Sequence, residues 1–220
     1  MAVFMDSNIS YTTDKKRLRN VIATAAHLAY STVKQVGSGI GQPKCVSELY
    51  DTLPVVQGKS RTIKVLNRLT VVASDPSHFE PTAEYKAYDL VAVYPKTEKL
   101  FHAACMTFDV DIICVAVTEK QPFSNSTMRR YTIANSISLV EMCKGKNVIV
   151  TSGAEKSLEL KGPYDIGIFG LSEGDGKSAI STNCRAVHLH GETRKTALGI
   201  VHTEERAAIE RQEDVPASEG

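Results

Sequence analysis

The chain has 220 residues, 42% hydrophobic and 23% charged, with a formal net charge of +1. This is the composition of an ordinary soluble globule, one barrel-sized domain or two small ones. It excludes a membrane-spanning chain, because no apolar run approaches the roughly 18–20 residues a bilayer requires.

Cys45, Cys105, Cys114, Cys143 and Cys184 are odd in number and scattered, with no C-x-x-C pair. That pattern argues against a zinc site and a disulfide framework, and favours a reducing, intracellular compartment. The start, Met1-Ala-Val-Phe-Met-Asp6, lacks a basic segment followed by a long apolar one, so no signal peptide is expected. The charge is unevenly placed. From Thr203 on there are two basic residues against six acidic ones, which leaves residues 1–202 at +5. A mildly basic body is compatible with a polyanion partner without demanding one. The acidic tail, residues 203–220, has too little apolar content to pack and is expected to be disordered.

In chain order, Ala2–Met5 is a plausible first strand. Asp14 caps a helix from Lys15 to about Tyr30, with Leu18, Val21, Ile22, Ala25, Ala26 and Leu28 as its apolar stripe. Its first turn, Lys15-Lys-Arg-Leu-Arg19, is basic against the helix dipole, although a solvated charged face is the simpler account. Ser31–Val36 reads as a second strand, Val46–Tyr50 as a short helical turn and Arg68–Ser74 as a clear strand.

Residues 88–118 organise the rest. Asp89-Leu-Val-Ala-Val-Tyr-Pro95 and Val110-Asp-Ile-Ile-Cys-Val-Ala-Val117 are apolar runs without an alternating polar face, as in strands buried on both sides. Between them a helix opened by Lys96 or Thr97 presents Leu100, Phe101, Ala104 and Cys105, giving a βαβ unit with parallel strands. A helix follows from about Thr127 to Cys143, with Tyr131, Ala134, Ile137, Ser138 and Met142 as its face and Gly145 as its stop. Asn147–Thr151 reads as another buried strand. Gly162-Pro163 opens a short helical piece, and Asp175 or Gly176 starts a last helix reaching about His190. Strands alternating with helices predict a parallel sheet, open or closed into a barrel.

Motifs that could carry chemistry are weak. Gly37-Ser-Gly-Ile-Gly41 lacks the third glycine offset and following helix of a dinucleotide loop. Gly174-Asp-Gly-Lys-Ser178 lacks the first glycine of a phosphate loop and reads as a helix start. His188-Leu-His190 on a helix points its rings roughly 200° apart, which suits capping or an anion beside Arg194 and Lys195 better than a metal. Asp109 and Asp111 have no histidine near them in sequence, and the cysteines sit in apolar runs that disfavour a thiolate. No catalytic group is expected. What remains is basic residues where strands leave for helices: Lys96 and Lys99; Lys120, Arg129 and Arg130; Lys156 and Lys161. In a parallel barrel such loops share one end, where convergent cations would grip phosphates without reading sequence.

Several longer blocks are more specific. Leu53-Pro-Val-Val-Gln-Gly-Lys-Ser-Arg61, Asp89–Leu100, Ser126-Thr-Met-Arg-Arg-Tyr-Thr132, Lys144-Gly-Lys-Asn-Val-Ile-Val150, Gly162-Pro-Tyr-Asp165, Ser181-Thr-Asn-Cys-Arg185 and His190-Gly-Glu-Thr-Arg-Lys195 resemble the family of thirty-kilodalton protein subunits of nuclear ribonuclease P and ribonuclease MRP. The resemblance covers most of residues 1–202. It implies a distorted or incomplete TIM-like (β/α) barrel of the polymerase-and-histidinol-phosphatase type. It also implies a non-catalytic subunit supporting the RNA that removes the 5′ leader of precursor tRNA. The implied partners are that RNA, a small ferredoxin-like subunit and, indirectly, precursor tRNA. The implied location is the nucleus and nucleolus, with no cofactor and no membrane.

Phosphoesterases of this barrel superfamily open with H-x-H where this chain has Asp6-Ser-Asn8, so no metal of its own is expected. The candidate RNA or partner contacts are Lys96, Lys99, Lys120, Arg129, Arg130, Lys156, Arg194 and Lys195. The chain departs from the family in a helix-plus-strand segment missing near 123–124, a few residues absent between Tyr164 and Leu171, and an unmatched loop at 34–45. Alternatives are a metal-dependent phosphoesterase of the same superfamily and a poorly folded isoform that never joins the particle.

Overall fold

A computed structural model describes residues 3–37, 52–78, 83–115, 126–165 and 169–196. Its five strands are β1 (Phe4–Ser10), β2 (Tyr30–Gly37), β3 (Lys64–Ala73), β4 (Leu90–Pro95) and β5 (Ile112–Ile113). They pair in that order, every pair parallel. A doubly wound sheet reverses its order partway and covers both faces with helices. Here the order never reverses, so right-handed crossovers all return on one side and the sheet curls toward a barrel. The result is a half-barrel, the incomplete TIM-like form that the family resemblance implies.

The outer face carries the apolar clusters. Helix α1 (Lys15–His27) buries Leu18, Val21, Ile22, Ala25 and Ala26 against Phe4, Ile9, Val33 and Val65. Asp14 starts it, its carboxylate accepting from the backbone N–H groups of Lys16 and Arg17. These are donors the first turn would otherwise leave unpaired. Helix α2 (Glu98–Met106), capped by the Thr97 hydroxyl, lays Leu100 and Ala104 on Leu69, Val91 and Val93. Along β2, β3 and β4 the alternate residues point the other way, onto the concave face: Thr32, Lys34 and Val36; Leu66, Arg68 and Thr70; Leu90 and Ala92.

Three α-helices follow among the described residues: α3 (Ser126–Cys143), α4 (Glu173–Ala179) and α5 (Thr182–Lys195). Helix α5 runs across the lower end of the sheet, where the strands begin. The backbone N–H of Met5 in β1 donates to the carbonyl of Ile180 just before it, and the Cys184 thiol reaches the Met5 carbonyl. At its far end Arg194 and His190 meet Asp111 at the start of β5, and Lys195 meets Asp89 at the start of β4.

Several expectations change. The last helix is two, because the chain turns at Ile180 and Ser181 to give that carbonyl to β1, so His188 and His190 lie well inside α5. The inward face of α3 is Thr132, Ser136 and Val140 with Ile137 beside them, while Tyr131 and Met142 are exposed. Apolar periodicity points to the wrong face of α3 because two small polar residues face inward, where Ser136 Oγ satisfies itself on the Thr132 carbonyl. Gly145 does end the helix, at φ +68 with its N–H on the Val140 carbonyl.

Residues 148–154 form no ladder. They run beside β1 through two bonds, Ser10 N–H to the Ala154 carbonyl and Ser152 N–H to the Asp6 carboxylate. Of the Val110–Val117 run, the described part through Val115 yields the two-residue β5, half-buried. Its remaining residues from 116, like Gly37–Gly41 beyond residue 37 and Val46–Tyr50, lie outside the described residues.

Gly191 marks where α5 touches the sheet. A Cβ there would stand 2.5 Å from the Asp89 carbonyl oxygen and 2.7 Å from a Leu90 methyl. Gly191→Ala should therefore lower the urea midpoint by the equivalent of about 1–3 kcal/mol, the usual cost of overpacking. An unchanged midpoint would mean that α5 is not seated on β4 as described.

Candidate nucleic-acid interface

The two ends of the sheet treat their charges differently. At the lower end the cations that α5 brings to the sheet, Arg194 and Lys195, are paired with carboxylates, while Lys64 and Lys161 stay exposed. Asp111 is fully buried at its side chain, and Arg194 is 9% exposed. The guanidinium donates through Nη2 at 3.0 Å and Nε at 3.2 Å, and Arg194 Nη1 also donates to the Tyr85 carbonyl. His190 Nδ1 lies 2.7 Å from the other Asp111 oxygen, and the Val91 N–H donates at 2.7 Å. Lys195 Nζ lies 2.8 Å from Asp89, whose second oxygen accepts from Asn67 N–H. Arg194 and Lys195 thus fasten α5 to β4 and β5. Asp111 does have a histidine beside it, contrary to what sequence separation suggested, but this carboxylate is already saturated by donors.

At the upper end, where strands run out into loops, the cations are exposed. Lys96 and Lys99 follow β4, and Lys96 Nζ stands 4.3 Å from the centre of the Tyr94 ring. The segment beside β1 runs parallel to it, bringing exposed Lys156 just beyond the end of that strand. Helix α1 starts at the same end, with Lys15 and Lys16 exposed and Arg17 donating to the Glu155 carbonyl. Lys96, Lys99 and Lys156 therefore share one rim. Lys161 does not: its carbonyl accepts from the Tyr30 hydroxyl, at the start of β2. Arg130 is exposed near the start of α3. The side chain of Arg129 and all of Lys120 lie outside the described residues.

Among the described residues no three His, Cys, Asp or Glu side chains come together as a metal-ligand set. Asp6, in β1, is buried and accepts from the N–H groups of Asn8 and Ser152. Burial pushes its carboxyl up, and those bonds only partly counter the shift.

The family model described as RNase P subunit p30 matches residues 3–127 and 123–196. The chain belongs to this family. It is 49% identical to the mouse ribonuclease P protein subunit p30, over 92% of this chain and 91% of that one. It is 25% identical to a probable ribonuclease P protein subunit 3 of Schizosaccharomyces pombe, over 82% and 86%. A Dictyostelium discoideum ribonuclease P protein subunit, drpp30, is 29% identical over 62% of this chain and 46% of its own. The RNase P subunit p30 match comes as two stretches that meet at 123–127.

What sequence inspection missed lies on the concave face of the half-barrel. Lys34 is fully buried and Arg68 is 3% exposed. Arg68 donates to the Ser7 carbonyl at 2.6 Å and to Cys114 Sγ at 2.8 Å; among the described residues Lys34 Nζ reaches only the Cys184 carbonyl, at 3.4 Å. A lysine and an arginine inside apolar strand runs were the visible signal. Burial lowers the Lys34 ammonium to about 8, with Cys184 pulling it up and Arg68 pushing it further down. Burial likewise raises the Cys114 and Cys184 thiols.

The linkage follows from those values. Between pH 8 and the unfolded value of 10.5 the unfolded chain holds a proton that the native state has lost, so stability rises with pH across that window. Below pH 8 the native state carries the full burial penalty, about 3 kcal/mol. Lys34→Met should raise the urea midpoint at pH 7, and the gain should shrink toward pH 10. An equal or lower midpoint at pH 7 would show that the ammonium is well solvated in the native state.

Proposed function

We infer that this chain, a ribonuclease P subunit by family, supplies no catalytic group and holds RNA backbone on its upper rim. The observation that carries the reading is the asymmetry of its two ends. Arg194 and Lys195 at the lower end are engaged by Asp111 and Asp89, whereas Lys96, Lys99 and Lys156 stand exposed where the strands end. Exposed lysines on one rim bind phosphates by charge and counterion release and carry no sequence information. Arg130, Arg129 and Lys120 extend this surface in the proposal. Arg194 and Lys195 act as fasteners of α5 in preference to RNA contacts.

The RNA that cleaves the 5′ leader of precursor tRNA is the proposed partner, with ribonuclease MRP RNA as its counterpart and precursor tRNA touched indirectly. A small ferredoxin-like subunit is the proposed protein neighbour, and the nucleus and nucleolus the proposed location. No metal or organic cofactor is assigned.

The chain is further proposed to be one barrel-like domain over residues 1–202, lacking an internal segment near 123–124 and followed by a disordered tail at 203–220. The two-part family match supports the gap. So does the mouse alignment of 244 residues, which is longer than the 220-residue chain and must bridge positions the chain lacks.

The test is retention of ribonuclease P RNA by the tagged full chain in nuclear extract, followed by binding of that purified RNA at rising salt. Changing Lys96, Lys99 and Lys156 together to alanine should make the log–log salt slope shallower by roughly two to three, about one per lost phosphate contact. Retention with an unchanged slope would move the RNA surface elsewhere. Failure to retain the RNA at all would instead favour an isoform outside the particle.

A further inference from the structure

Three buried polar atoms have no hydrogen-bond partner among the described residues: Arg68 Nε, Thr70 Oγ1 and His188 Nδ1. All three belong to the concave side of the half-barrel. Arg68 and Thr70 are two residues apart on the inward-facing row of β3, so their Cα atoms are separated by about 6.6 Å. His188, on α5, has its other ring nitrogen 3.5 Å from Nζ of Lys64, the first residue of the same row. Lys34 joins from the neighbouring strand. It pairs with Leu66 in the register, which sets it diagonally beside Arg68 on the same face, with Cα atoms about 8 Å apart.

The charges do not balance. Two cations, Lys34 and Arg68, are at least 97% buried there. Among the described residues, Asp89 and Asp111 are engaged by Lys195, Arg194 and His190, and Asp6, which acts on Arg68 at a distance, forms no ion pair with it and accepts from the N–H groups of Asn8 and Ser152. A bound water could accept from Arg68 Nε, but it would leave the excess positive charge of the pair uncompensated. Buried charges are tolerated when they are paired, and a partner that brings both negative charge and several acceptor oxygens meets both deficits at once.

We propose that the concave face of the half-barrel is a binding site for a phosphate oxyanion, gripped by Arg68 Nε and the Thr70 hydroxyl and neutralised by Lys34. Arg68 donates its Nε–H, Thr70 donates its O–H, and Lys34 supplies the second charge. Arg68 is oriented in advance by its bonds to Ser7 and Cys114, so it loses little freedom on binding. The anion is either free phosphate or a phosphate of RNA. This site is separate from the upper-rim surface, and either can exist without the other.

The test is thermal unfolding of the full chain at pH 7 in increasing inorganic phosphate, with sodium chloride added to keep ionic strength constant. A saturable rise of the midpoint is expected, because a ligand that binds only the native state stabilises it by mass action. Lys34→Met and Thr70→Val should fold with native circular dichroism and lose most of that rise. Lys34→Met should also be the more stable protein when phosphate is absent. Arg68→Lys keeps the charge but removes the guanidinium fork, and should weaken phosphate binding about tenfold or more.

Adding a short single-stranded RNA at saturating phosphate separates the two sources. Competition assigns the site to an RNA phosphate, and its absence assigns it to the free ion. A wild-type midpoint indifferent to phosphate, or the same saturable rise in Lys34→Met and Thr70→Val, would overturn the proposal.

Discussion

The Asp111 carboxylate is the point on which this molecule closes. It lies out of water at the start of the shortest strand and accepts from the Val91 backbone, from Arg194 and from His190. A buried ion pair is weak evidence for stability when compared with an apolar substitute, but removing one partner from it typically costs about 3–5 kcal/mol. The position matters more than the magnitude. Five parallel strands do not make a closed barrel, and β5, only two residues long, contributes little pairing of its own. Helix α5 spans from β1 to β5 along the strand starts, and Asp111 fixes its far end. The half-barrel is held in its curl by a helix laid across it.

That fastening also decides which charges remain for a partner. The basic residues Arg194 and Lys195 follow the two histidines of α5 in sequence and could have formed an anion site. In the fold they are drawn onto Asp111 and Asp89. The lysines that follow β4 and the segment beside β1 face water at the other end. A subunit of this family that holds RNA would use the rim its own packing leaves unoccupied. The concave face between the two ends is a third electrostatic zone, where Lys34 and Arg68 form no ion pair among the described residues.

Much of the architecture was legible because local signals agreed with tertiary packing. The α1 stripe from Leu18 to Ala26, its Asp14 cap, the parallel β4–α2–β5 order with Leu100 and Ala104 buried, and the Gly145 stop all appear where periodicity and capping chemistry place them, while Phe101 and Cys105, expected on the same helix face, are exposed. The exceptions share a cause, which is long-range pairing. Nothing local tells that Asp111 and His190, 79 positions apart, meet at 2.7 Å. Nothing local turns Thr132 and Ser136 inward in place of Tyr131 and Met142. The apolar run at 147–151 looks like a ladder strand, yet it makes only isolated bonds beside β1 and to Ala179. The family blocks identified the chain better than any single motif, but they could not sort cations that fasten from cations that are free. That sorting depends on which carboxylates the fold brings close.

The most direct test of this account is native-state hydrogen exchange on the Asp111→Asn variant. Asparagine keeps the size and one acceptor oxygen but removes the charge that holds Arg194. Amides of α5 should lose protection by opening locally, while those of β1, β2 and β3 keep theirs, because α1 and the outer clusters stabilise that half of the sheet independently. If α5 stays as protected as in the parent chain, or loses protection only together with β1–β3, the helix is held by something other than this carboxylate and the account fails.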